Sequence, residues 1–126
     1  REVADPDRPL VGTTWVVHSL VTPNAVSTSA ALERAAPHLR LDPDGTAAGS
    51  TGCNNFTGPA TISESNGRTT IEFGPLATTR RACEPDLAEV ERAVLAVLSG
   101  TVEATVDASE LRLHKPDGTG LLLRAA

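Results

Sequence analysis

Two stretches decide the fold of this chain: Gly52-Cys53-Asn54-Asn55-Phe56-Thr57-Gly58 and Thr78-Thr79-Arg80-Arg81-Ala82-Cys83. They contain the only two cysteines of the chain. One pair of cysteines indicates one disulfide, one two-thiolate site or one redox couple. Cys53 follows a predicted strand and Cys83 precedes a predicted helix, so the two sulfurs can face each other. Glycines at 49, 52 and 58 would let the backbone turn sharply around the sulfur. We interpret them as a structural disulfide, which would contribute ~3–4 kcal/mol by closing a loop of about 30 residues.

The composition predicts one small domain with an aliphatic core. The chain has 126 residues, and splitting it would leave pieces too small to bury a stable core. Hydrophobic residues make up 40% of the chain but aromatic residues only 2%, so the core must consist mainly of Leu, Val, Ile and Ala. Because aliphatic side chains bury less area each than rings do, such a core benefits from a covalent cross-link.

The charge argues against nucleic acid as a partner. The net charge is −5, whereas a nucleic-acid interface needs a basic face. It also needs aromatic rings on which bases can stack. The three rings of this chain, Trp15, Phe56 and Phe73, are needed in the core. No stretch approaches the ~20 apolar residues that cross a bilayer. The chain has no methionine, even at residue 1, so we expect it to be cut from a longer precursor. That precursor could carry a secretory signal or a lipid anchor.

The pattern of apolar residues predicts a mainly β fold with one α-helix. Short strands are expected at about 13–20, 25–29, 39–41, 60–64, 69–73, 102–106, 110–114 and 121–124, the first of them apolar on both faces. Pro-Asp-Gly-Thr occurs at 43–46 and again at 116–119, which we interpret as two similar hairpins, and Asn66-Gly67 marks a third. About eight short strands with tight turns predict a small antiparallel, barrel-like curled sheet.

The one predicted helix spans residues 85–99. Its apolar positions fall on one face, at Leu87, Val90, Val94, Leu95 and Leu98. Proline suits the first turn at residue 85, and Gly100 suits the end. Residues 29–36 predict at most a helical turn, which Pro37 would stop.

The beginning of the chain differs from the rest. Residues 1–9 are polar and contain two prolines, which predicts a flexible tail. The single domain is therefore expected to span residues 10–126.

Three other chemistries compete with a structural disulfide. A metal site would need further ligands at suitable spacing, but His18, His38 and His114 are scattered singly, so we expect no metal and no other cofactor. A Cys–His–Asn site could use only Cys53, Asn54 and His114; a polar strand residue beside a turn is the more ordinary interpretation of His114, and we expect no catalytic residue. A thioredoxin-like redox couple places both cysteines at the start of a helix, which lowers the pKa of a thiol. This chain lacks that arrangement.

Arg80-Arg81 has two interpretations. The pair could hold a carboxylate or phosphate through bidentate contacts. Alternatively, Arg80 pairs inward with strand-end carbonyls while Arg81 lies in solvent near Glu84 or Asp86. We favour the structural interpretation.

Together, these motifs resemble the META domain, the HslJ-like family of bacterial envelope proteins. The resemblance covers nearly the whole chain, from about residue 10 to residue 124. The matching positions are Gly12, Thr13, Trp15, Gly49, Gly52, Cys53, Asn54, Phe56, Gly58, Thr78, Thr79, Arg80, Ala82 and Cys83, followed by the helix and a terminal Leu-x-Leu hairpin. Several motifs in the same order are much more specific than any one of them.

The resemblance implies an extracytoplasmic location and a fold, but it points to no known enzyme activity. Members of the family are typically secreted, periplasmic or lipoprotein-anchored, some are heat-inducible, and no enzyme activity is established for them. The implied fold is a small β-barrel-like sheet with one helix, in which the cysteine pair keeps its position. Trp15, Gly49, Gly52, Asn54, Phe56, Gly58, Thr79 and Arg80 become structural or binding candidates on this basis.

Two positions depart from the family pattern. Arg81 stands where the family usually has Met, and Pro59-Ala60 where it often has an aromatic residue. A function that depends on those side chains does not transfer to this chain.

We therefore expect a non-enzymatic, extracytoplasmic binding or stress-tolerance domain. Its partner would be a protein of the envelope or outside the cell, and the chain would be a monomer. One alternative is an inhibitor of a secreted protease, which would present a rigid loop or the N-terminal tail to a cleft. The other alternative is a thiol-dependent enzyme that uses Cys53.

Overall fold

Ten strands and two helices make up residues 7–126, the part of the chain that this computed structural model describes. The strands are β1 (Thr14–Thr22), β2 (Ala25–Ser27), β3 (His38–Leu41), β4 (Thr46–Ser50), β5 (Asn55–Ser65), β6 (Arg68–Phe73), β7 (Ala77–Thr78), β8 (Gly100–Asp107), β9 (Glu110–His114) and β10 (Gly120–Ala125). The helices are α1 (Ala30–Ala35) and α2 (Pro85–Val97).

Eight of the strands form a closed antiparallel barrel. Their order is β1, β3, β4, β5, β6, β8, β9 and β10, and β10 pairs with β1 to close the ring. The two remaining strands extend this barrel, β2 beside β1 and β7 beside β5. The predicted barrel-like sheet of about eight strands is confirmed, with α1 as a helix in addition to the predicted one.

The barrel interior is filled by aliphatic side chains. Because side chains alternate between the two faces of a strand, every second residue points inward. Fully buried side chains include Leu39, Leu41, Ile71, Val102, Leu111, Leu113, Leu121 and Leu123, together with Trp15. An eight-stranded barrel is just wide enough for such side chains to fill it, so its interior is a core.

Only one face of β1 is buried, although its sequence is apolar on both faces. Trp15 and Val17 are buried and Val16 between them is only partly covered, as in a strand with one face toward a barrel core. The pairing with β10 shifts between Val17 and Ser19, so His18 lies in a bulge. The His18 ring contacts the Ser19 hydroxyl through Nδ1 at 2.9 Å.

Residues 7–12 cross the barrel end opposite the helices. The Asp7 carboxylate accepts from the Ala108 N–H at 2.7 Å, and the Arg8 N–H donates to the Ala108 carbonyl at 2.9 Å. The Trp15 ring N–H then donates to the Leu10 carbonyl at 3.1 Å. Of the tail predicted at 1–9, residues 1–6 lie outside the described residues, whereas residues 7 and 8 are hydrogen-bonded to the β8–β9 turn.

Both helices lie at the other end of the barrel. The N-cap Ser29 begins α1 by accepting from the Leu32 N–H at 3.1 Å, and Ala36 ends it with a φ of 44°. The predicted α2 is confirmed, although it ends at Val97 and its buried face is formed by Val90, Val94 and Val97. No helix among the described residues is long and apolar enough to span a membrane.

A lysine from the β9–β10 turn caps the end of α2. Lys115 Nζ donates to the Ala96 carbonyl at 3.0 Å and to the Ser99 carbonyl at 2.8 Å. Carbonyl groups at a helix C-terminus have no partner within the helix, and a cation there also complements the helix dipole. This contact fixes the helix to the barrel wall at β9 and β10.

The two Pro-Asp-Gly-Thr segments form the same turn, as predicted. Asp44 accepts from the Thr46 N–H at 3.0 Å, and Asp117 accepts from the Thr119 N–H at 2.9 Å. The glycine after each aspartate has a φ of 87° or 91°, in the left-handed region that glycine adopts without strain. Each turn thereby reverses the chain between two adjacent barrel strands.

The charge of Asp117 should make stability depend on pH in the acid range. The Thr119 hydroxyl and N–H both donate to its carboxylate and lower its pKa below the ordinary 3.8. This contribution is therefore complete above pH ~4 and is lost as the pH falls through the lowered pKa. Asp117→Asn keeps an acceptor oxygen but removes the charge, so we expect it to be less stable than the parent chain at pH 7, with the difference shrinking at pH 3. Urea unfolding at both pH values measures this, and a difference that grows in acid would contradict it.

Candidate functional site

The two cysteine motifs meet at the helix-bearing end of the barrel. Cys53 lies in the β4–β5 loop, Cys83 lies just before α2, and they form a disulfide with Cα atoms 6.0 Å apart. The predicted cross-link is confirmed. Cys53 is buried and Cys83 is half-buried, and no cysteine of the chain is a free thiol.

Asn54 adds a second connection at the same place. Its Oδ1 accepts from the Arg81 N–H at 2.6 Å and from the Thr79 hydroxyl at 3.0 Å. Its Nδ2 donates to Glu91 Oε2 at 2.9 Å. The Asn54 side chain is therefore bonded both to the segment before α2 and to α2 itself.

Thr51 and Glu91 complete the cluster, and sequence reasoning missed both. The Thr51 hydroxyl, fully buried, donates to Glu91 Oε2 at 2.7 Å and accepts from the Asn54 N–H at 3.0 Å. Glu91 is one of several acidic residues along α2, and no spacing in the sequence marks it as the one that turns inward. We define the cysteine cluster as Thr51, Cys53, Asn54, Thr79, Arg81, Cys83 and Glu91.

The cysteine cluster is built to hold chain segments together. Its donors and acceptors are directed at one another, and the Glu91 carboxylate receives two neutral donors instead of a cation. A thiolate at Cys53 would lie close to this carboxylate, because Asn54 Nδ2 is 3.2 Å from Cys53 Sγ and 2.9 Å from Glu91 Oε2. Two neighbouring negative charges disfavour each other, so the Glu91 carboxylate disfavours a thiolate at Cys53.

The structure does not join His114 to the cysteines. His114 lies at the end of β9, where it pairs with Glu103 on β8 and with Gly120 on β10. Cys53 and Asn54 are hydrogen-bonded instead to Thr51 and Arg81. Among residues 7–126, no group of three His, Cys, Asp or Glu side chains is placed to hold a metal ion.

The motif glycines have two different roles. Only Gly52, with a φ of 90°, makes the sharp turn beside the sulfur that was predicted for all three. Gly49 instead lies between Leu39 and Phe56, and a Cβ there would overlap the His38 carbonyl oxygen and come within 2.9 Å of the Phe56 ring. At Gly58 a Cβ would lie 2.6 Å from the Pro75 carbonyl oxygen. These two glycines allow close packing and do not form turns.

The motif aromatics are core residues. Trp15 is fully buried and Phe56 is nearly so, and Phe56 packs against the face that Gly49 leaves open. Both rings therefore stabilise the barrel and are inaccessible to a ligand.

The expectation that Arg80 pairs inward is wrong. Both Arg80 and Arg81 are exposed, and within residues 7–126 neither guanidinium forms an ion pair. Asp86, the expected neighbour of Arg81, is paired with Arg34 of α1 instead. Only the backbone of Arg81 is held, by Asn54.

A disulfide-linked, eight-stranded antiparallel barrel with its helices at one end defines the class of protein. The META domain family model matches residues 8–126, and the chain belongs to that family. The fold is also that of a solved NMR structure of a protein from Burkholderia xenovorans, at a TM-score of 0.70 and 24% identity, covering 100% of this chain and 93% of the other. A second NMR structure has a TM-score of 0.62 and 24% identity, covering 90% of this chain and 88% of the other. Among curated proteins, none matches the chain significantly.

Removing the disulfide should destabilise the chain without preventing folding. A cross-link over 30 residues restricts the unfolded chain, so the double variant Cys53→Ser/Cys83→Ser should lose about 3–4 kcal/mol of unfolding free energy. Urea unfolding followed by the fluorescence of Trp15 measures this loss. The hydrogen bonds of Asn54 remain in the variant and should keep the native fluorescence at zero urea.

Asn54→Ala should also be destabilising, by about 1–3 kcal/mol, because it removes hydrogen bonds from partly buried partners. The Glu91 carboxylate and the Arg81 N–H would both lose a partner. Asn55→Ala is the matched control, since that side chain is exposed and should change stability by under ~0.5 kcal/mol. Equal effects of the two variants in urea unfolding would contradict the role of Asn54.

Gly52→Ala and Gly67→Ala separate backbone strain from steric overlap. Both glycines have a positive φ, at 90° and 75°, so both substitutions should cost about 1 kcal/mol in strain. At Gly52 the added Cβ would also overlap the backbone of Ala35, whereas at Gly67 it meets open space. We expect Gly52→Ala to be the more destabilising by at least ~1–2 kcal/mol, measured by thermal unfolding.

Proposed function

We propose that this chain is a non-enzymatic META domain that works outside the cytoplasm by binding a protein partner, in support of envelope or stress tolerance. The observation that carries the proposal is the disulfide between the only two cysteines of the chain. Disulfides of this kind form and persist in oxidising compartments and are rare where thiols are kept reduced. The family and the cross-link together favour secretion, the periplasm or a lipid-anchored precursor.

The non-enzymatic part of the proposal rests on how the cysteine cluster is used. Both candidate nucleophiles are bonded to each other, and the polar groups around them are engaged in holding α2 and the β4–β5 loop. The alternative of a thiol enzyme requires a reduced Cys53. The redox state of the native protein therefore decides between the two.

The geometry favours Arg80-Arg81 as the contact for an acidic partner. The backbone of Arg81 is held by the Asn54 amide, and the disulfide fixes the chain two residues later. The two guanidinium groups are exposed and have no ion pair within the described chain. A fixed backbone lowers the entropy lost on binding, and guanidinium groups suit carboxylates.

The test uses the protein from its native host. Cells are fractionated, free thiols are blocked with iodoacetamide before lysis, and the intact mass is measured. We expect an extracytoplasmic chain that is unlabelled and lighter by two hydrogen atoms than its reduced form. A cytoplasmic chain with a labelled Cys53 would overturn the proposal and restore the thiol enzyme.

The binding surface is tested separately. Chemical cross-linking on intact cells captures partners of the parent chain, of Arg80→Gln/Arg81→Gln and of Arg92→Gln. Arg92 is an exposed arginine of α2 and serves as the matched control. We expect the captured protein to be lost only in the double variant; a partner retained by all three chains would show that the arginine pair is not the contact.

A further inference from the structure

A small apolar cavity lies on the outer wall of the barrel, apart from the cysteine cluster. Its volume is about 270 Å³. The wall is formed by residues of four neighbouring strands: Val21, Val26, Arg112, Leu113, His114 and Leu122. None of them belongs to the cysteine cluster or to the arginine pair.

The wall of the cavity follows the strand pairing of the barrel. The pairing sets Val26, Val21, Gly120 and His114 in one row across β2, β1, β10 and β9. Side chains of such a row stand on the same face of a sheet. Gly120 contributes no side chain to this row, because a Cβ there would overlap the Leu113 carbonyl oxygen.

One side of the cavity is aliphatic and reaches solvent. Val26 is 60% exposed, and within the described residues it is the one large hydrophobic side chain left so open. Val21 and Leu122 beside it are half-buried. An aliphatic group placed here would remove all three side chains from water, which is favourable in proportion to the area covered.

The other side of the cavity is cationic. Arg112 is exposed, lies opposite Leu122 in the pairing of β9 with β10, and has no ion pair within residues 7–126. His114 lies two residues further along the same face. Glu103 lies opposite His114 on β8, on the side of β9 away from β10. His114 therefore has an acidic neighbour, and the Arg112 guanidinium is the group available to an anion.

We propose that this cavity binds a medium-chain aliphatic carboxylate. The hydrocarbon chain lies against Val21, Val26 and Leu122, and the carboxylate accepts from the Arg112 guanidinium. Charge complementarity with the exposed Arg112 guanidinium selects an anionic head group. The volume is just below the ~300–1,000 Å³ of sites for drug-sized ligands, so the ligand is a single short chain. The inference goes beyond the proposed function, because it adds a small ligand at a separate surface.

The test is a titration of the oxidised chain with octanoate, followed by NMR of the valine and leucine methyl groups. We expect saturable shifts at Val21, Val26 and Leu122. Octan-1-ol lacks the carboxylate and butyrate lacks most of the chain, so each should bind about tenfold more weakly.

Variants assign the two halves of the site. Arg112→Gln should weaken octanoate binding about tenfold, and Val26→Ser about threefold to fivefold. Arg124→Gln is the matched control, because Arg124 is on the outer face of β10 beside Glu110 and does not line the cavity; it should bind as the parent chain does.

Three outcomes would overturn the inference. They are the absence of saturable shifts at these methyl groups, equal binding of octanol and octanoate, and shifts that follow protein concentration instead of ligand. The last would identify a second copy of the chain, paired along β2, as the occupant. None of these outcomes bears on the redox state or on the partner captured through Arg80-Arg81, so the inference and the proposed function fail independently.

Discussion

The Asn54 carboxamide is hydrogen-bonded to two parts of the chain, and the helix-bearing end of the barrel depends on these bonds. Its oxygen accepts from the Arg81 N–H and the Thr79 hydroxyl, and its nitrogen donates to Glu91 on α2. A carboxylate at this position would lack the N–H donor, and an apolar side chain would remove all three hydrogen bonds. The adjacent disulfide acts differently, because it restricts mainly the unfolded chain. The hydrogen bonds of Asn54 therefore stabilise the native state, whereas the disulfide raises the free energy of the unfolded state.

Structural features that a few neighbouring residues determine could be predicted from the sequence, whereas features that depend on distant residues could not. Alternation of apolar residues and the turn residues Pro-Asp-Gly and Asn-Gly act over a few positions, so they predicted the hairpins and eight of the ten described strands, all but β4 and β7. The helical period predicted α2 in the same way. Pairing of the cysteines was inferable because the chain contains only two. Closure of the barrel by β1 and β10 joins residues about a hundred positions apart, and no local pattern specified which two strands close the ring.

The misses share a physical cause. Thr51 and Glu91 are polar residues whose role appears only when two distant segments meet, so no local pattern marks them. Gly49 and Gly58 were expected to be turns because glycine is permissive in φ, yet here they are needed for the absence of a Cβ. Sequence alone cannot separate these two uses of glycine. Arg80 was expected to pair inward with strand-end carbonyls, but its side chain is exposed. Arg81 was expected near Glu84 or Asp86, but Asp86 is already bound to Arg34 of the other helix.

A closed barrel also determines where variable chemistry can be placed. Its backbone groups are paired around the ring and its interior is filled, so inward-facing residues have little freedom to change. Outward-facing residues carry no such constraint. The guanidinium groups of Arg80, Arg81 and Arg112, which form no ion pair within residues 7–126, are all on the outside of the barrel. Arg80 and Arg81 lie beside the hydrogen bonds of Asn54. Arg112 lies on the β9–β10 wall, which Lys115 connects to α2. Rigid support beneath an exposed charge reduces the entropy lost on binding. The contacts that stabilise this small aliphatic core would therefore also favour the binding proposed at its surface.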